Sequence, residues 1–159
     1  MLSHKELYNV ITKTTLTSVD LLFVCKNQVL LGKRKNNPAK GYLFNPGAKT
    51  FKFETQDAAI RRIAKTECGL NVDNYQHVGV YDHIYENNFK DDKVKTHYVS
   101  NCYKVILSHK LFAQPDDQHE SFYWFDIDNA LKRKDVHPYV KIFLKDLKKM
   151  MYIKNGFIK

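Results

Sequence analysis

Three cysteines in 159 residues, Cys25, Cys68 and Cys102, are an odd number with no metal-ligand spacing between them. They exclude a disulfide framework and a zinc site, and read as reduced, mostly buried small side chains. No apolar run approaches the length that spans a bilayer, and Met1-Leu2-Ser3-His4-Lys5-Glu6 lacks the apolar core of a signal peptide. The expectation is no membrane and a cytoplasmic location. Acidic residues are the scarcer charge: 17 Asp plus Glu against 26 Lys plus Arg leave a net charge of +9. Such an excess attracts phosphate-bearing partners of any kind. Part of it lies in Lys145, Lys148, Lys149, Lys154 and Lys159, where the solvated face of a helix accounts for it. Zinc-finger spacing, an aromatic RNA-binding signature and a helix-turn-helix pattern are all lacking, so no nucleic-acid partner is expected. There is no internal repeat or low-complexity segment.

What the chain does contain is 43% hydrophobic residues, which suits a single domain, residues 1–159, with a core of ordinary size. Ser3-His4-Lys5-Glu6 is a capping box and predicts a short helix to about Thr12, with Leu7, Tyr8, Val10 and Ile11 on its apolar side. Val19 to Cys25 and Gln28 to Arg34, joined by Lys26-Asn27, predict a hairpin. Asp20, beside Leu21-Leu22-Phe23-Val24, is either at a solvated strand end or turned into a polar site, and its neighbours do not decide which. Gly41 to Asn45, Gln76 to Tyr85, Thr96 to Leu107 and Ser121 to Asp126 predict further strands, with loops from Glu86 to Lys95 and from Gln114 to Glu120. A last helix starts near His137 and Pro138 and places Val140, Phe143, Leu144, Leu147 and Met151 in one stripe, which is core rather than chemistry. The fold class is therefore α/β: a mixed sheet between helices, an α/β/α sandwich.

The chain is organised around Asn45 to Leu70. A turn, Asn45-Pro46-Gly47-Ala48-Lys49, leads through Phe51-Lys52-Phe53-Glu54 into a helix capped by Thr55, with Asp57 in its first turn and Gly69 as its left-handed stop. Ile63 and Glu67 are one turn apart, and Arg62 and Thr66 form the neighbouring row. A turn carbonyl and a helix carboxylate are oxygen ligands of the kind a hard divalent cation prefers, although spacing alone favours Glu67 as a solvated, salt-bridged carboxylate.

This stretch resembles the Nudix box: glycine, five residues, Glu, seven residues, Arg-Glu, an aliphatic, any residue, Glu-Glu, any residue, Gly and an aliphatic. Aligned on Glu54, the residues Arg62, Glu67, Gly69 and Leu70 fall in register, while Ala48, Ile63 and Thr66 replace the first Gly, the Glu after Arg and the first of the paired Glu. Loss of those two carboxylates is similar to the GDP-mannose mannosyl hydrolase branch. Leu30-Leu31-Gly32-Lys33-Arg34, Asn37-Pro38-Ala39-Lys40-Gly41-Tyr42, Thr96-His97-Tyr98-Val99 and Pro115-Asp116-Asp117-Gln118-His119 resemble the same branch, in order along the chain.

The resemblance implies a Nudix-type domain holding one Mg²⁺ per site, or Mn²⁺, through the Gly47 carbonyl, Glu67 and Gln118. It implies His119 as general base, a role to which an unperturbed imidazole is suited at neutral pH although an isolated loop His is solvated in most proteins. Arg34, Lys49 and Arg62 would assist at the phosphates, and Asp20, Tyr8, His83 and Tyr98 would contact substrate; His83 and Tyr98 read equally as packed sheet aromatics. The implied reaction is hydrolysis of a nucleotide sugar, a GDP-hexose such as GDP-mannose, by water at the anomeric carbon with inversion. A homodimer is implied, with the N-terminal segment completing the partner's site. Ala48 and Lys49 depart from the pattern: Ala48 would be strained if its position needs positive φ, and Lys49 lacks the bidentate geometry of Arg. Two rivals remain, a nucleoside-diphosphate-sugar pyrophosphatase and a weakly active nucleotide-sugar-binding relative.

Overall fold

The computed structural model describes residues 3–87, 94–111 and 118–154. Asn88 and Asp91-Asp92 of the charged loop, Pro115-Asp116-Asp117 and Lys159 lie outside these residues. Helix α1 (His4–Ile11) precedes strands β1 (Leu16–Cys25), β2 (Gln28–Arg34), β3 (Leu43–Phe44) and β4 (Gly47–Lys49). Then come α2 (Gln56–Cys68), β5 (Tyr75–Tyr85), β6 (Thr96–Ile106), β7 (His119–Asp126), α3 (Ile127–Lys132) and α4 (Pro138–Lys154).

The strands form one mixed sheet in the order β3-β2-β1-β6-β5, with β4 pairing β1 and β7 pairing β2. Strand β1 is its axis. It runs parallel to β6, opposing Leu16 to Tyr98 and Asp20 to Cys102. On its other edge it takes β4 first, with Asp20 opposite Gly47, and β2 only at Val24 and Cys25. Every residue of β1 from Ser18 to Cys25 is buried, as in a strand covered on both faces. With a period of two, Val19, Leu21 and Phe23 pack with Ile60, Ile63 and Ala64 of α2, while Leu22 and Val24 pack with Phe143, Leu144 and Leu147 of α4. This is the expected α/β/α sandwich.

The caps act as their residue types require. Thr55 accepts from the Ala58 amide at 3.2 Å, and Gly69, with φ 69°, lets the Leu70 amide reach the Ala64 carbonyl at 3.1 Å. Ser3 and Glu6 complete their capping box, with Ser3 N to Glu6 Oε2 at 2.8 Å.

Several details differ from the sequence reading. Residues 47–49 form strand β4 rather than a turn, because β1 extends back to Leu16 and offers them a free edge. Ala48 then lies opposite Val19 in extended backbone, and the non-glycine residues with positive φ are Lys26, Ala39 and Phe53, so Ala48 carries no left-handed strain. Strand β7 begins at His119, two residues early, because its register with β2 runs on to Arg34. Asp126 ends β7 and caps α3, a helix absent from the sequence reading, by accepting from the Asn129 amide at 3.1 Å. No described helix is long and apolar enough to cross a membrane.

Phe143 is fully buried against the sheet, with the ring centroid of His83, on β5, lying 5.1 Å from its own. Phe143→Ala should cost about 3–5 kcal/mol in urea unfolding. A loss below about 1 kcal/mol would mean that α4 is not seated on the sheet as described.

Candidate active site

A cleft of about 500 Å³ opens where β1 exchanges β4 for β2 as its neighbour. Its walls bring together Asp20, Arg34, Gly47, Lys49, Arg62, His83, Tyr98 and Gln118, which are far apart in sequence.

Gly47 is held at its centre. Its amide donates to Glu67 Oε2 at 3.1 Å, tying β4 to the end of α2. A Cβ here would stand 2.5 Å from Asp20 Oδ1 and 3.0 Å from the Val19 carbonyl, so glycine is required for clearance, not for an unusual φ. Glu67 is 7% exposed, and its other oxygen accepts from Gln118 Nε2 at 3.1 Å. The Gln118 carbonyl oxygen in turn accepts from Arg34 Nη1 at 3.1 Å. The Gly47 amide and the Gln118 side-chain amide thus converge as N–H donors on the Glu67 carboxylate, and Gln118 Oε1 faces Arg34. The oxygens that would suit Mg²⁺ or Mn²⁺ are the Glu67 carboxylate, the Gly47 carbonyl and Gln118 Oε1. Among the described residues there is no group of three or more His, Cys, Asp or Glu side chains that could hold a metal. A cation here would meet one protein carboxylate and neutral oxygens, leaving charge for an anionic ligand to balance.

Asp20 is turned into a polar site, which settles the alternative its neighbours left open. It is 6% exposed and accepts from Asn45 Nδ2 at 3.0 Å, Ser100 Oγ at 2.5 Å and Ser18 Oγ at 3.3 Å. Burial without these donors would be costly for a carboxylate.

Arg62 has a part beyond the one expected. Its Nε donates to Glu54 Oε1 at 2.6 Å, and Nη2 donates to Glu54 Oε2 at 2.9 Å and to the Lys49 carbonyl at 3.0 Å. Its guanidinium also lies 4.2 Å from the Phe51 ring centre. The side chain lines the cleft with three of its five N–H groups spent on the loop, so it braces the residues before α2 and keeps Nη1 free of those bonds. The Arg62 hydrogen bonds hold the Glu54 carboxyl below its ordinary pKa. Lys49 does face the cleft, with its pKa lowered by burial and then by the Arg62 charge.

His83 and Tyr98 sit side by side across β5 and β6, where they are packed aromatics that also line the cleft. His83 stacks on Tyr139 with ring centroids 4.1 Å apart, and burial lowers its pKa against the opposing pull of Asp20. Burial raises the pKa of Tyr98 and of the adjoining Tyr85.

Three expected residues are not in the wall: Glu67 stands behind it, joined to it through Gly47 and Gln118, and the other two are His119 and Tyr8. His119 is fully buried, not a solvated loop side chain: its ring lies 4.7 Å from that of Phe122, and a Cβ on Gly32 would meet its Cδ2 at 2.6 Å. Pairing with Arg34 at the start of β7 turns it behind the wall that Gln118 joins. Tyr8 is half-buried on α1, and the wall residue there is Leu7. Conversely, Ser18, Ser100 and Asn45 were missed. Ser18 with Asp20 on β1, and Tyr98 with Ser100 on β6, alternate on one face of their strands, and that period of two was the available signal. Two wall residues also carry buried polar atoms with no partner among the described residues, Arg34 Nε and Asn45 Oδ1.

A buried carboxylate at a strand-to-helix junction, with Arg34 and Lys49 in the wall beside it, marks the site of this α/β/α domain. The chain belongs to the Nudix family: the NUDIX domain model matches residues 14–147. It is 32% identical over 135 residues to the low-salt glycan biosynthesis protein Agl8 of Haloferax volcanii, covering 85% of this chain and 83% of that one. It is 31% identical over 140 residues to an ADP-ribose pyrophosphatase of Methanocaldococcus jannaschii, covering 87% and 75% respectively. Among solved structures, a MutT NUDIX hydrolase from Burkholderia pseudomallei superposes with a TM-score of 0.71 at 24% identity, over 84% of this chain and 98% of that one. The NUDIX domain of Shewanella oneidensis NrtR, complexed with ADP ribose, gives 0.68 at 17% identity, over 95% and 99%. These superpositions establish the fold.

His137, beside the cleft at the start of α4, has its pKa lowered from 6.5 to about 4, first by burial and then by the charges of His83 and Arg34. Between these values the unfolded chain binds more protons than the folded one. Its contribution is therefore intact above pH 6.5 and is lost as pH falls toward about 4. His137→Asn should flatten the stability profile across that window in urea titrations; an unchanged slope would contradict the burial.

Proposed function

We propose that this protein is a divalent-cation-dependent glycosyl hydrolase of GDP-hexoses, GDP-mannose among them, that directs water to the anomeric carbon with inversion and releases GDP and free hexose. The observation that carries this reading is that α2 gives the cleft a single carboxylate. Ile63 is fully buried against the sheet, and the Thr66 hydroxyl turns back to the Arg62 carbonyl at 2.9 Å. At these two positions the Nudix box pattern has glutamates, which in diphosphate-cleaving relatives bind further cations or act as base. Attack at carbon needs neither, because GDP is a good leaving group without an acid.

The Gly47 carbonyl, Glu67 and Gln118 would hold one Mg²⁺ or Mn²⁺, which when bound neutralises charge on the departing diphosphate. Arg34 presents a buried, unpartnered Nε–H that suits a phosphate oxygen, and Lys49 adds a second cation from the strand opposite Ser18. Asp20, His83 and Tyr98 supply the sugar side of the cleft. His119 is assigned as general base. For that role the start of β7 must turn its ring out from between Gly32 and Phe122 toward the cleft, moving together with Gln118. A homodimer with a cytoplasmic location, in which α1 and its Tyr8 help complete the partner's cleft, belongs to the same reading. The similarity to an ADP-ribose pyrophosphatase favours a second one, cleavage between the phosphates of a nucleotide sugar.

Glu67→Gln and His119→Gln separate the readings. With GDP-mannose and Mg²⁺, each should lower kcat by roughly 100-fold or more, with thermal midpoints recorded to confirm that the buried His119 site still folds. A pyrophosphatase would tolerate His119→Gln. A wild-type protein that binds nucleotide sugars without turning them over would be a binding module instead.

A further inference from the structure

We infer that Asn45 is a specificity residue, whose side-chain oxygen accepts a hydrogen bond from a sugar hydroxyl of the bound nucleotide sugar. The inference rests on the reading of the cleft as a nucleotide-sugar site. Asn45 is 1% exposed and forms part of the cleft wall. Its amide nitrogen donates to Asp20 Oδ1 at 3.0 Å and to the Pro46 carbonyl at 3.0 Å. Both partners are acceptors, so the amide can face only one way round, and Oδ1 is the atom left over. That oxygen is buried and has no partner among the described residues.

A buried acceptor without a donor costs free energy until a ligand or water supplies one. The chemistry of the neighbourhood narrows the ligand. The Asp20 oxygens already accept from Asn45, Ser18 and Ser100, so Asn45 Oδ1 and the Asp20 carboxyl oxygens together present acceptors. Phosphate oxygens are acceptors too and are repelled there; they belong with Arg34 and Lys49. A nucleoside-diphosphate hexose can donate into this corner from a hydroxyl of the hexose or of the ribose, or from an N–H of the base. Because the proposed reading puts Asp20 on the sugar side of the cleft, the donor is a hydroxyl. Asn45 is also rigid: it precedes Pro46, whose carbonyl it holds and which also accepts from the Leu21 amide at 2.8 Å. A fixed, desolvated acceptor discriminates strongly against an analogue that lacks the matching donor.

The test compares kcat/KM for GDP-mannose with that for its single-deoxy forms, at each hexose position and at the 2′ and 3′ positions of the ribose, in the wild type and in Asn45→Leu. One deoxy compound should be penalised roughly tenfold or more in the wild type, and Asn45→Leu should erase that penalty while leaving the other ratios in place. The position of the penalty identifies hexose or ribose as the donor. If no deoxy compound is penalised in the wild type, or if the penalty survives in Asn45→Leu, the inference is overturned. A uniform loss on every substrate would likewise overturn it, since that is the signature of a residue that only supports Asp20. If Asn45→Leu does not fold, Asn45→Ala is put through the same comparison with the same outcomes. These ratios are indifferent to which bond is cut, whereas product identity is not, so the inference and the glycosyl-hydrolase reading can fail separately.

Discussion

The Gly47 amide donates to the Glu67 carboxylate, and the geometry of the cleft hangs on that contact. It joins the last turn of α2 to the short strand β4 and so fixes the distance between a strand carbonyl and a helix carboxylate. The contact is available because Gly47 has no side chain: with one, β4 could not lie against Asp20. Asp20 in turn is held by Asn45, Ser18 and Ser100, so clearance at one residue organises a buried polar layer across β1, β4 and β6. At the other end of α2, the bidentate pair of Arg62 with Glu54 and its bond to the Lys49 carbonyl seat the loop between β4 and the helix. Both ends of β4 are thereby pinned to α2, which a three-residue strand needs because its own ladder is too short to hold it.

Charge distribution follows from the same frame. Glu67 is the carboxylate that α2 sets behind the cleft wall, and its partner Gln118 is neutral, while Arg34 and Lys49 contribute positive charge. Such a site favours a ligand that brings its own negative charge at one end and hydrogen-bond donors at the other. A diphosphate linked to a hexose has that polarity. The family match covers residues 14–147. In the proposed reading the sugar end of the ligand would meet Asp20, Asn45, His83 and Tyr98.

The elements whose signals are local were legible in the sequence. Thr55, Asp57 and Gly69 bound α2, the Ser3 capping box opens α1, and the apolar stripe of α4 names its own buried face. The resemblance carried over Gly47, Glu67, Gln118, Arg34 and Asp20, and these do meet at one cleft. What was not legible depends on pairing between distant segments. Strand β4 exists because β1 extends back to Leu16, and nothing within residues 47–49 announces it. The burial of His119 comes from its register with Arg34, a tertiary fact, whereas its local sequence reads as a loop. The brace that Arg62 forms on the loop was missed because the distance to Glu54 in the folded loop is not written in their spacing. Asn45 passed as a turn residue, since its orphaned oxygen appears only once Asp20 and Pro46 have taken its amide nitrogen.

The central claim is that water attacks carbon rather than phosphorus. Hydrolysis of GDP-mannose with Mg²⁺ in oxygen-18 water, followed by mass spectrometry of every product, tests it most directly. The account predicts unlabelled GDP together with free hexose that carries the label. Label in GDP, or the appearance of GMP and hexose phosphate with label on phosphorus, would contradict it.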